Sequence, residues 1–147
     1  MAPTKNPLRV PENACTSRVE YRVPFYDTDA MGVVHHANYV RYLELARVRF
    51  LQEHDEPYVQ YVAQGIHVVV TRVEIKLRRA TRFDELLAVT GWLERVRYAS
   101  FSFGYVIDCD GELSANATTE HAVVDLQGKL QRMTDAHRER LLKLVAR

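Results

Sequence analysis

One short loop of this 147-residue chain gathers the residue types that acyl-transfer chemistry needs. Between Phe25 and Tyr39 it holds two carboxylates, a single glycine and two adjacent histidines, directly before a long helical pattern. A helix N-terminus presents unpaired backbone N–H groups and a partial positive charge. Asp29, a few residues upstream, can attack a carbonyl held on those donors, or activate water against it, while the donors stabilise the oxyanion.

His36 has two candidate roles at this helix start. Its backbone N–H, which any residue except proline supplies, can polarise a carbonyl. Its imidazole titrates near neutral pH and can act as acid, base or donor to the substrate. Asp27 is interpreted as a hydrogen-bond acceptor that shapes the loop rather than as a second catalyst. A metal site built from Asp29, His35 and His36 is not expected, because adjacent imidazoles on one turn are predicted to point apart.

The elements that position this loop follow from hydrophobic periodicity. Alternation predicts a strand over 18–23, and apolar residues at three- and four-residue spacing predict one long helix from Asn38 to about Glu53. The patterns that follow predict a short helix, four strands and a final helix, at 58–64, 66–79, 86–97, 101–107, 113–125 and 135–145.

This order of elements predicts the fold class and the domain organisation. Because a run of antiparallel strands follows one dominant helix with a wide apolar arc, we expect an α+β domain whose sheet wraps that helix. Residues 1–17 are predicted to be a flexible lead-in, and 18–147 the domain. A long sheet with edges and an uncovered face predicts a homodimer or a homotetramer.

Bulk composition restricts the class of protein. A net charge of +1, from 20 Lys and Arg against 19 Asp and Glu, provides no dominant basic face for nucleic acid. Cys15 and Cys109 are too few for a disulfide framework and lack zinc-ligand spacing, so we expect reduced thiols in a cytoplasmic protein. No apolar run approaches the ~20 residues that span a membrane, and no signal-peptide pattern is found.

The stretch from Tyr26 to Tyr39, YDTDAMGVVHHANY, closely resembles the signature of the hotdog-fold thioesterases. The similarity is to the 4-hydroxybenzoyl-CoA thioesterase group and, within it, to the YbgC-like acyl-CoA thioesterases. It extends over residues 18 to about 133. The resemblance implies a hotdog fold and hydrolysis of an acyl-CoA to free acid and CoA. It implies no metal and no organic cofactor, because CoA arrives as part of the substrate.

The resemblance also implies roles for individual residues of the loop. Asp29 matches the family's catalytic aspartate, and the backbone N–H of His36 matches its carbonyl-polarising donor. Gly32 matches the glycine of the tight turn between them. The residues expected to bind substrate are Tyr26, Gly32, Val33, His35, Asn38, Arg95, Arg97 and Ser100. Of these, His35 stands where the family usually has an aromatic residue, and Asn38 is expected to cap or brace the helix entry.

Two groups of basic residues fit the phosphates of CoA, because arginine makes bidentate phosphate contacts. The first group is Arg95 and Arg97 with Ser100, in the link between two strands where related enzymes hold the nucleotide end of CoA. The second group is Arg78, Arg79 and Arg82. A solvated strand end is the alternative interpretation of each group.

Other polar residues receive structural interpretations. His67 and His121 are expected to be partly buried strand residues, and His54 and His137 to lie on the surface at helix ends. Glu44 is interpreted as a partner of neighbouring arginines on its helix, rather than as the helix glutamate that some other hotdog thioesterases use as catalyst.

Several questions remain open at the level of the sequence. Asp29 fits either a nucleophile or a general base, and the substrate either CoA or acyl carrier protein. The resemblance places the site at a dimer interface, where strand 66–71 of the partner lines the acyl pocket. A non-catalytic hotdog module that binds acyl-CoA or acyl carrier protein is the second hypothesis, and the intact loop argues against it. A hotdog dehydratase is less favoured because its histidine-centred motif is not found.

Overall fold

The computed structural model describes residues 9–147 and consists of one sheet, one long helix and two short helices. In chain order the elements are β1 (Thr16–Arg22), a 3-10 turn (Phe25–Asp27), α1 (Asn38–His54), α2 (Tyr58–Ala63), β2 (Ile66–Leu77), β3 (Leu86–Val96), β4 (Ser100–Cys109), β5 (Glu112–Asp125) and α3 (Asp135–Leu142). The five strands are antiparallel, in the order β1-β3-β4-β5-β2. Within the described range no helix has the length and apolar character needed to cross a membrane.

The predicted order of elements is confirmed, and the differences lie at element ends. Thr16 and Ser17, assigned to the lead-in, pair with Trp92 and Gly91 and belong to β1. The ordered sheet therefore starts two residues earlier than predicted. Residues 1–8 of the predicted lead-in lie outside the described residues. The two cysteines are not joined by a disulfide.

β2 ends at Leu77, two residues before the predicted end. The backbone N–H groups of Arg78 and Arg79 both donate to the carbonyl oxygen of Ser114, at 2.8 and 3.0 Å. In a regular ladder each N–H group has its own carbonyl partner. Because these two N–H groups share one carbonyl oxygen, the ladder between β2 and β5 ends here. The chain then turns away from β5 and passes beside the loop that carries Asp29.

α1 packs on one face of the sheet through the stripe that its periodicity predicts. Its buried residues are Tyr39, Tyr42, Leu43, Ala46, Phe50 and Leu51. A β-carbon added to Gly91 of β3 would lie 3.4 Å from the Cβ of Ala46. The small residues Gly91 and Ala46 therefore let the helix approach the sheet closely, and the helix packs mainly against β1 and β3.

β2 forms an edge of the sheet and exposes apolar side chains. Val69, Val70, Val73 and Leu77 are each between 39 and 53% exposed, and Val40 of α1 is 43% exposed. We call these five residues the apolar edge. A long edge strand with apolar side chains is a surface for pairing with another chain.

The histidines are more enclosed than their sequence context predicts. The prediction that His137 lies on the surface is wrong, because its side chain is 4% exposed. His121 is fully buried rather than partly buried, and burial, with a smaller effect of the Arg47 charge, lowers its pKa to about 3. His54 is half-buried, with Nε2 2.9 Å from the carbonyl oxygen of Thr16.

A buried polar network joins α3 to the end of α1. Tyr61 Oη donates to Asp55 Oδ2 at 2.5 Å, and Arg140 Nε donates to Asp55 Oδ1 at 2.9 Å. His137 Nε2 lies 3.0 Å from Tyr61 Oη. Burial lowers the pKa of His137 although Asp55 opposes the shift. The neutral imidazole thus serves as a hydrogen-bonding residue of the interior.

Candidate active site

Residues 28–34 form a small hairpin that fixes the carboxylate of Asp29. Asp29 N donates to the Val33 carbonyl and Gly32 N donates to the Asp29 carbonyl, each at 2.9 Å. Gly32 has a φ of 75°, a left-handed conformation that favours glycine. Asp29 Oδ1 accepts from the backbone N–H of Met31 at 2.8 Å. Among the described residues its Oδ2 has no hydrogen-bond partner, so this oxygen is available to a substrate or to water.

Asp27 anchors the loop to the core. Its side chain is 1% exposed, and Oδ2 accepts from the hydroxyls of Tyr21 and Tyr42 at 2.8 and 2.6 Å. Arg41 approaches Oδ1 at 3.4 Å. Burial, together with the hydrogen bond to Asp27, raises the pKa of Tyr21 to about 12 and raises that of Tyr42. Both hydroxyls therefore stay protonated donors, and the interpretation of Asp27 as a loop-shaping acceptor is confirmed.

The backbone of Asp27 also holds the start of α1. Its carbonyl oxygen accepts from His35 N at 2.9 Å and from Asn38 Nδ2 at 2.8 Å. The N-cap position is Ala37, which makes no side-chain cap. Asn38 therefore braces the helix entry and does not cap it, and its Oδ1 accepts from Arg41 at 2.9 Å.

One backbone donor at the helix start is left without a partner. Ala37 N donates to His35 Nδ1 at 3.1 Å, Asn38 N to the His35 carbonyl at 2.9 Å, and Tyr39 N to the His36 carbonyl at 3.3 Å. No acceptor for the N–H of His36 is found in residues 9–147. An unsatisfied N–H at a helix start is suited to bind a developing oxyanion.

The two imidazoles stack on each other. The ring centroids of His35 and His36 are 4.2 Å apart and the ring planes differ by 26°. The expectation that these rings point apart is therefore wrong. The bond from Ala37 N makes His35 Nδ1 an acceptor, which leaves its proton on Nε2. In the described part of the chain, no group of three or more His, Cys, Asp or Glu residues is arranged to hold a metal ion.

A cleft of about 310 Å³ opens over Asp29 and His36. Its remaining walls are Met31, Val33, Val34, Tyr39 and segment 77–80. The structure therefore brings Asp29 and His36, the residue with the free N–H, to one cavity. It also places Val33 of the predicted substrate-binding set in the cavity wall and Gly32 in the turn beside it.

The second basic group lies beside this cleft. Arg78 and Arg79 line it. Arg79 pairs with Glu85 at 3.6 Å and with Glu112 at 3.2 Å, and Arg78 Nε donates to Asn116 Oδ1 at 3.2 Å. Arg79 is thus held by two carboxylates and Arg78 by its Nε, and both form part of the cleft wall.

Tyr26, His35 and Asn38 are not part of the cavity wall in the protomer. Tyr26 is 81% exposed, and His35 and Asn38 hold the backbone around His36. His35 and Asn38 therefore act on the shape of the loop. Sequence reasoning missed Tyr21 and Tyr42, which fix Asp27.

The first basic group lies at the other end of the sheet. Arg95 pairs with Glu120 at 3.5 Å, and Arg97 N donates to the Ser100 carbonyl at 2.8 Å to close the β3–β4 turn. Ser100 is level with Val69 of β2, because both pair with Ala122 of β5, and Arg95 is level with Arg72, because Ser102 and Arg72 both pair with Glu120.

The Asp29 cleft lies at the opposite end of β2, beside Leu77. At about 3.3 Å per residue, the level of Ser100 is roughly 26 Å from Leu77 along β2, and the level of Arg95 is roughly 17 Å from it. Within one chain, Arg95 and Ser100 therefore lie away from Asp29.

Comparison with known proteins identifies the family. The family model of the thioesterase-like superfamily matches residues 23–141. A putative esterase of Aquifex aeolicus is 36% identical over 103 residues, which cover 70% of this chain and 80% of that protein. The acyl-CoA thioester hydrolase YbgC of Escherichia coli O157:H7 is 32% identical over 91 residues, which cover 62% of this chain and 68% of YbgC.

A solved structure shows the same architecture. The DHNA-CoA thioesterase from Staphylococcus aureus has a TM-score of 0.83 and 25% identity, and the match covers 88% of this chain and 90% of that one. The predicted hotdog fold, a sheet packed around one long helix, is therefore confirmed. The chain belongs to the thioesterase-like superfamily and is a hotdog-fold thioester hydrolase.

Proposed function

We propose that this protein hydrolyses acyl-CoA thioesters, with Asp29 as nucleophile or general base and the backbone N–H of His36 as oxyanion donor. One observation carries the assignment of the site. A carboxylate oxygen without a hydrogen bond and a backbone N–H without an acceptor, each judged among the described residues, belong to two residues that line one cleft, Asp29 and His36. The relative named acyl-CoA thioester hydrolase supplies the substrate class.

The reaction follows from the placement of these two groups. The thioester carbonyl oxygen accepts from His36 N–H, which makes the carbonyl carbon more electrophilic. In one route Asp29 attacks that carbon, CoA leaves as the thiolate, and water then hydrolyses the acyl–Asp29 anhydride. In the other route Asp29 takes a proton from water as the water attacks, and the C–S bond then breaks. Both routes consume one water and give the free acid and CoA.

We expect thiol release from at least one member of a panel of short-chain, long-chain and hydroxybenzoyl-CoA esters. The measurement is the appearance of free CoA thiol with a chromogenic disulfide reagent. The panel also identifies the acyl group, which the cleft walls alone do not. Binding of acyl-CoA without turnover of any member would contradict hydrolysis and favour the non-catalytic acyl-binding module.

The proposed assembly is a homodimer formed through β2. If β2 pairs antiparallel with its copy about an axis at the centre of the strand, Leu77 of one protomer lies opposite Ile66 of the other. The register shift between Val70 and Arg72 lies at this centre. The pairing covers the apolar edge and brings the partner's β2 start and its β3–β4 turn to the Asp29 cleft. It would place the partner's Arg97 and Ser100 on the side where CoA enters.

We expect the wild-type protein to have at least twice the 17.0 kDa mass of one chain in solution. Val73→Lys places a charge on the apolar edge and should shift the protein toward monomer, with loss of activity. Val10→Lys is the matched control and should keep the wild-type mass, because Val10 is also 40% exposed but precedes β1, the strand at the opposite edge of the sheet. Light scattering after size exclusion measures both, and a monomeric wild type would refute the assembly.

A further inference from the structure

A second, smaller cavity of about 100 Å³ lies between α1 and β2. Because α1 packs mainly against β1 and β3, the face of β2 that looks toward the helix stays open beside it. The helix side of the cavity carries Val40, Glu44 and Arg47, and the strand side carries Val70 and Val73. We call these five residues the α1–β2 groove. Its strand side is apolar, and its helix side becomes charged with distance from the helix start.

The groove continues from the Asp29 cleft. On the strand, Leu77 of the cleft and Val73 of the groove are four residues apart and therefore share one face of the sheet. On the helix, Tyr39 of the cleft is next to Val40 of the groove. At about 1.5 Å per residue, Arg47 is roughly 12 Å from Tyr39 along the helix axis. An acyl chain that leaves the Asp29 cleft along this groove therefore reaches Arg47.

Arg47 is an enclosed cation with one weak partner. Its side chain is 12% exposed, and its only ion-pair partner in residues 9–147 is Glu44, at 3.4 Å. The Glu44 side chain is 63% exposed, and an ion pair with an exposed carboxylate contributes little. Arg41, the other guanidinium that lines this cavity, donates to Asn38 Oδ1 at 2.9 Å and also approaches Asp27. Arg47 is therefore the cation that is available in the groove.

The buried groups beside Arg47 do not neutralise its charge. Thr119 Oγ1 lies 2.8 Å from Tyr105 Oη and 2.7 Å from His121 Nε2. Burial raises the pKa of Tyr105, although the Arg47 charge opposes the shift. The lowered pKa of His121 keeps its imidazole neutral. These three side chains are therefore uncharged near neutral pH, and no counter-ion for Arg47 comes from them.

We propose that Arg47 binds a carboxylate at the far end of the acyl group, so that ω-carboxyacyl-CoA thioesters are the preferred substrates. The inference rests on the proposed function for the reaction at Asp29 and for the CoA moiety. The apolar strand side of the groove suits the methylene chain, and a guanidinium makes charge-assisted, bidentate bonds to a carboxylate. Arg47 then determines specificity and takes no part in bond breaking.

The same groove disfavours a methyl-ended acyl chain. In the proposed β2–β2 dimer the partner covers the open side of the groove and excludes water from it. A methyl group beside Arg47 would then remove the guanidinium from water without supplying a counter-charge, which costs free energy. A carboxylate at that place supplies the counter-charge, and its attraction to Arg47 is strengthened by the low local dielectric constant.

The first test compares kcat/KM for pairs of CoA esters that match in chain length and end in a carboxylate or in a methyl group. At the length that spans the groove, the wild type should prefer the carboxylate ester by about 10- to 100-fold. Arg47→Met keeps an unbranched apolar stem and loses the charge, so this preference should disappear while kcat/KM for the methyl ester does not fall. Arg47→Lys keeps the charge and should still prefer the carboxylate ester. A wild type without the preference at any chain length would overturn the inference.

Arg49→Met is the matched control. Arg49 lies on the same helix and also pairs with a glutamate, Glu53, at 3.6 Å, but its side chain is 49% exposed and does not line the groove. This variant should keep the wild-type preference. Thermal unfolding shows whether each variant is folded. An equal loss of preference in the folded Arg47→Met and Arg49→Met variants would refute a specific role for Arg47.

A binding measurement separates this inference from the proposed function. Thioether analogues of the two esters are not hydrolysed, and calorimetry should show tighter binding of the carboxylate analogue, lost in Arg47→Met. Such selective binding by a protein that hydrolyses no thioester leaves the inference standing and refutes hydrolysis. Hydrolysis of both esters with equal efficiency refutes the inference alone. A preference for ω-hydroxyacyl-CoA that survives Arg47→Met overturns it in favour of a hydroxyl group bound by Thr119.

Discussion

Asp29→Asn is expected to lower kcat on the best acyl-CoA substrate by at least ~100-fold, with the fold intact. Asparagine has the size of aspartate, and its side-chain oxygen can still accept from Met31 N, so the hairpin should keep its shape. The change removes the negative charge that either attacks the carbonyl or takes a proton from water. Thiol release measures kcat and KM, and thermal unfolding shows whether stability has changed.

The matched control is Asp110→Asn. Asp110 is an exposed turn residue with a φ of 51°, a conformation that asparagine also adopts readily. This variant should have wild-type kcat. Near-normal turnover by Asp29→Asn would remove Asp29 from the chemistry and leave the loop with a binding role.

His36→Pro and His36→Ala separate the backbone role of this residue from its side-chain role. The proline variant loses the N–H that we assign to the oxyanion, and kcat should fall by about 100- to 1,000-fold. The alanine variant keeps the N–H and loses only the imidazole, and its kcat should fall by no more than about tenfold if the backbone carries the role. The ratio of the two kcat values is the measurement.

Proline is a compatible replacement at this position. His36 is the second residue of a turn closed by the bond from Asn38 N to the His35 carbonyl, and this is the position that proline favours. Its N–H has no acceptor to lose in the described structure. Circular dichroism and thermal unfolding should therefore be close to wild type. Equal losses in the two folded variants would assign the role to the imidazole instead.

The sequence predicts the order of elements well because each periodic pattern is local. It places the start of β1 and the end of β2 less well, because both depend on distant partners. Thr16 is in the sheet because it pairs with Trp92, and β2 stops where two successive N–H groups share the carbonyl of Ser114. No pattern within either segment indicates these contacts.

The loop residues also divide into those that a local motif predicts and those whose contacts depend on distant parts of the chain. The placement of Asp29, Gly32 and His36 in one loop at the helix start could be predicted, because a short, continuous motif contains all three. The anchoring of Asp27 by Tyr42 joins residues 15 apart, and each tyrosine alone is typical of a core position. The stacking of the two histidine rings occurs together with the bond from Ala37 N to His35 Nδ1, and residue types indicate neither contact.

α3 shows why buried polar residues are hard to predict. Its sequence is rich in charged residues, which is typical of a surface helix. His137 is buried because it contacts Tyr61, which is 76 residues away in the chain. Arg132 and Arg138, which both lie over the ring of Tyr98, likewise come together only when the segment before α3 bonds to the β3–β4 turn.

Because Asp27 anchors the loop, the choice of thioester can change in such an enzyme without a change in the loop itself. One buried residue holds both the hairpin with the carboxylate and the entry of the helix with the free N–H, so the spacing of the reacting groups is set within a single subunit. In the proposed dimer, further surfaces that contact the acyl group and the phosphates come from β2 and the β3–β4 turn of the other subunit. Substitutions there can change which thioester is accepted while the bond-breaking geometry stays the same.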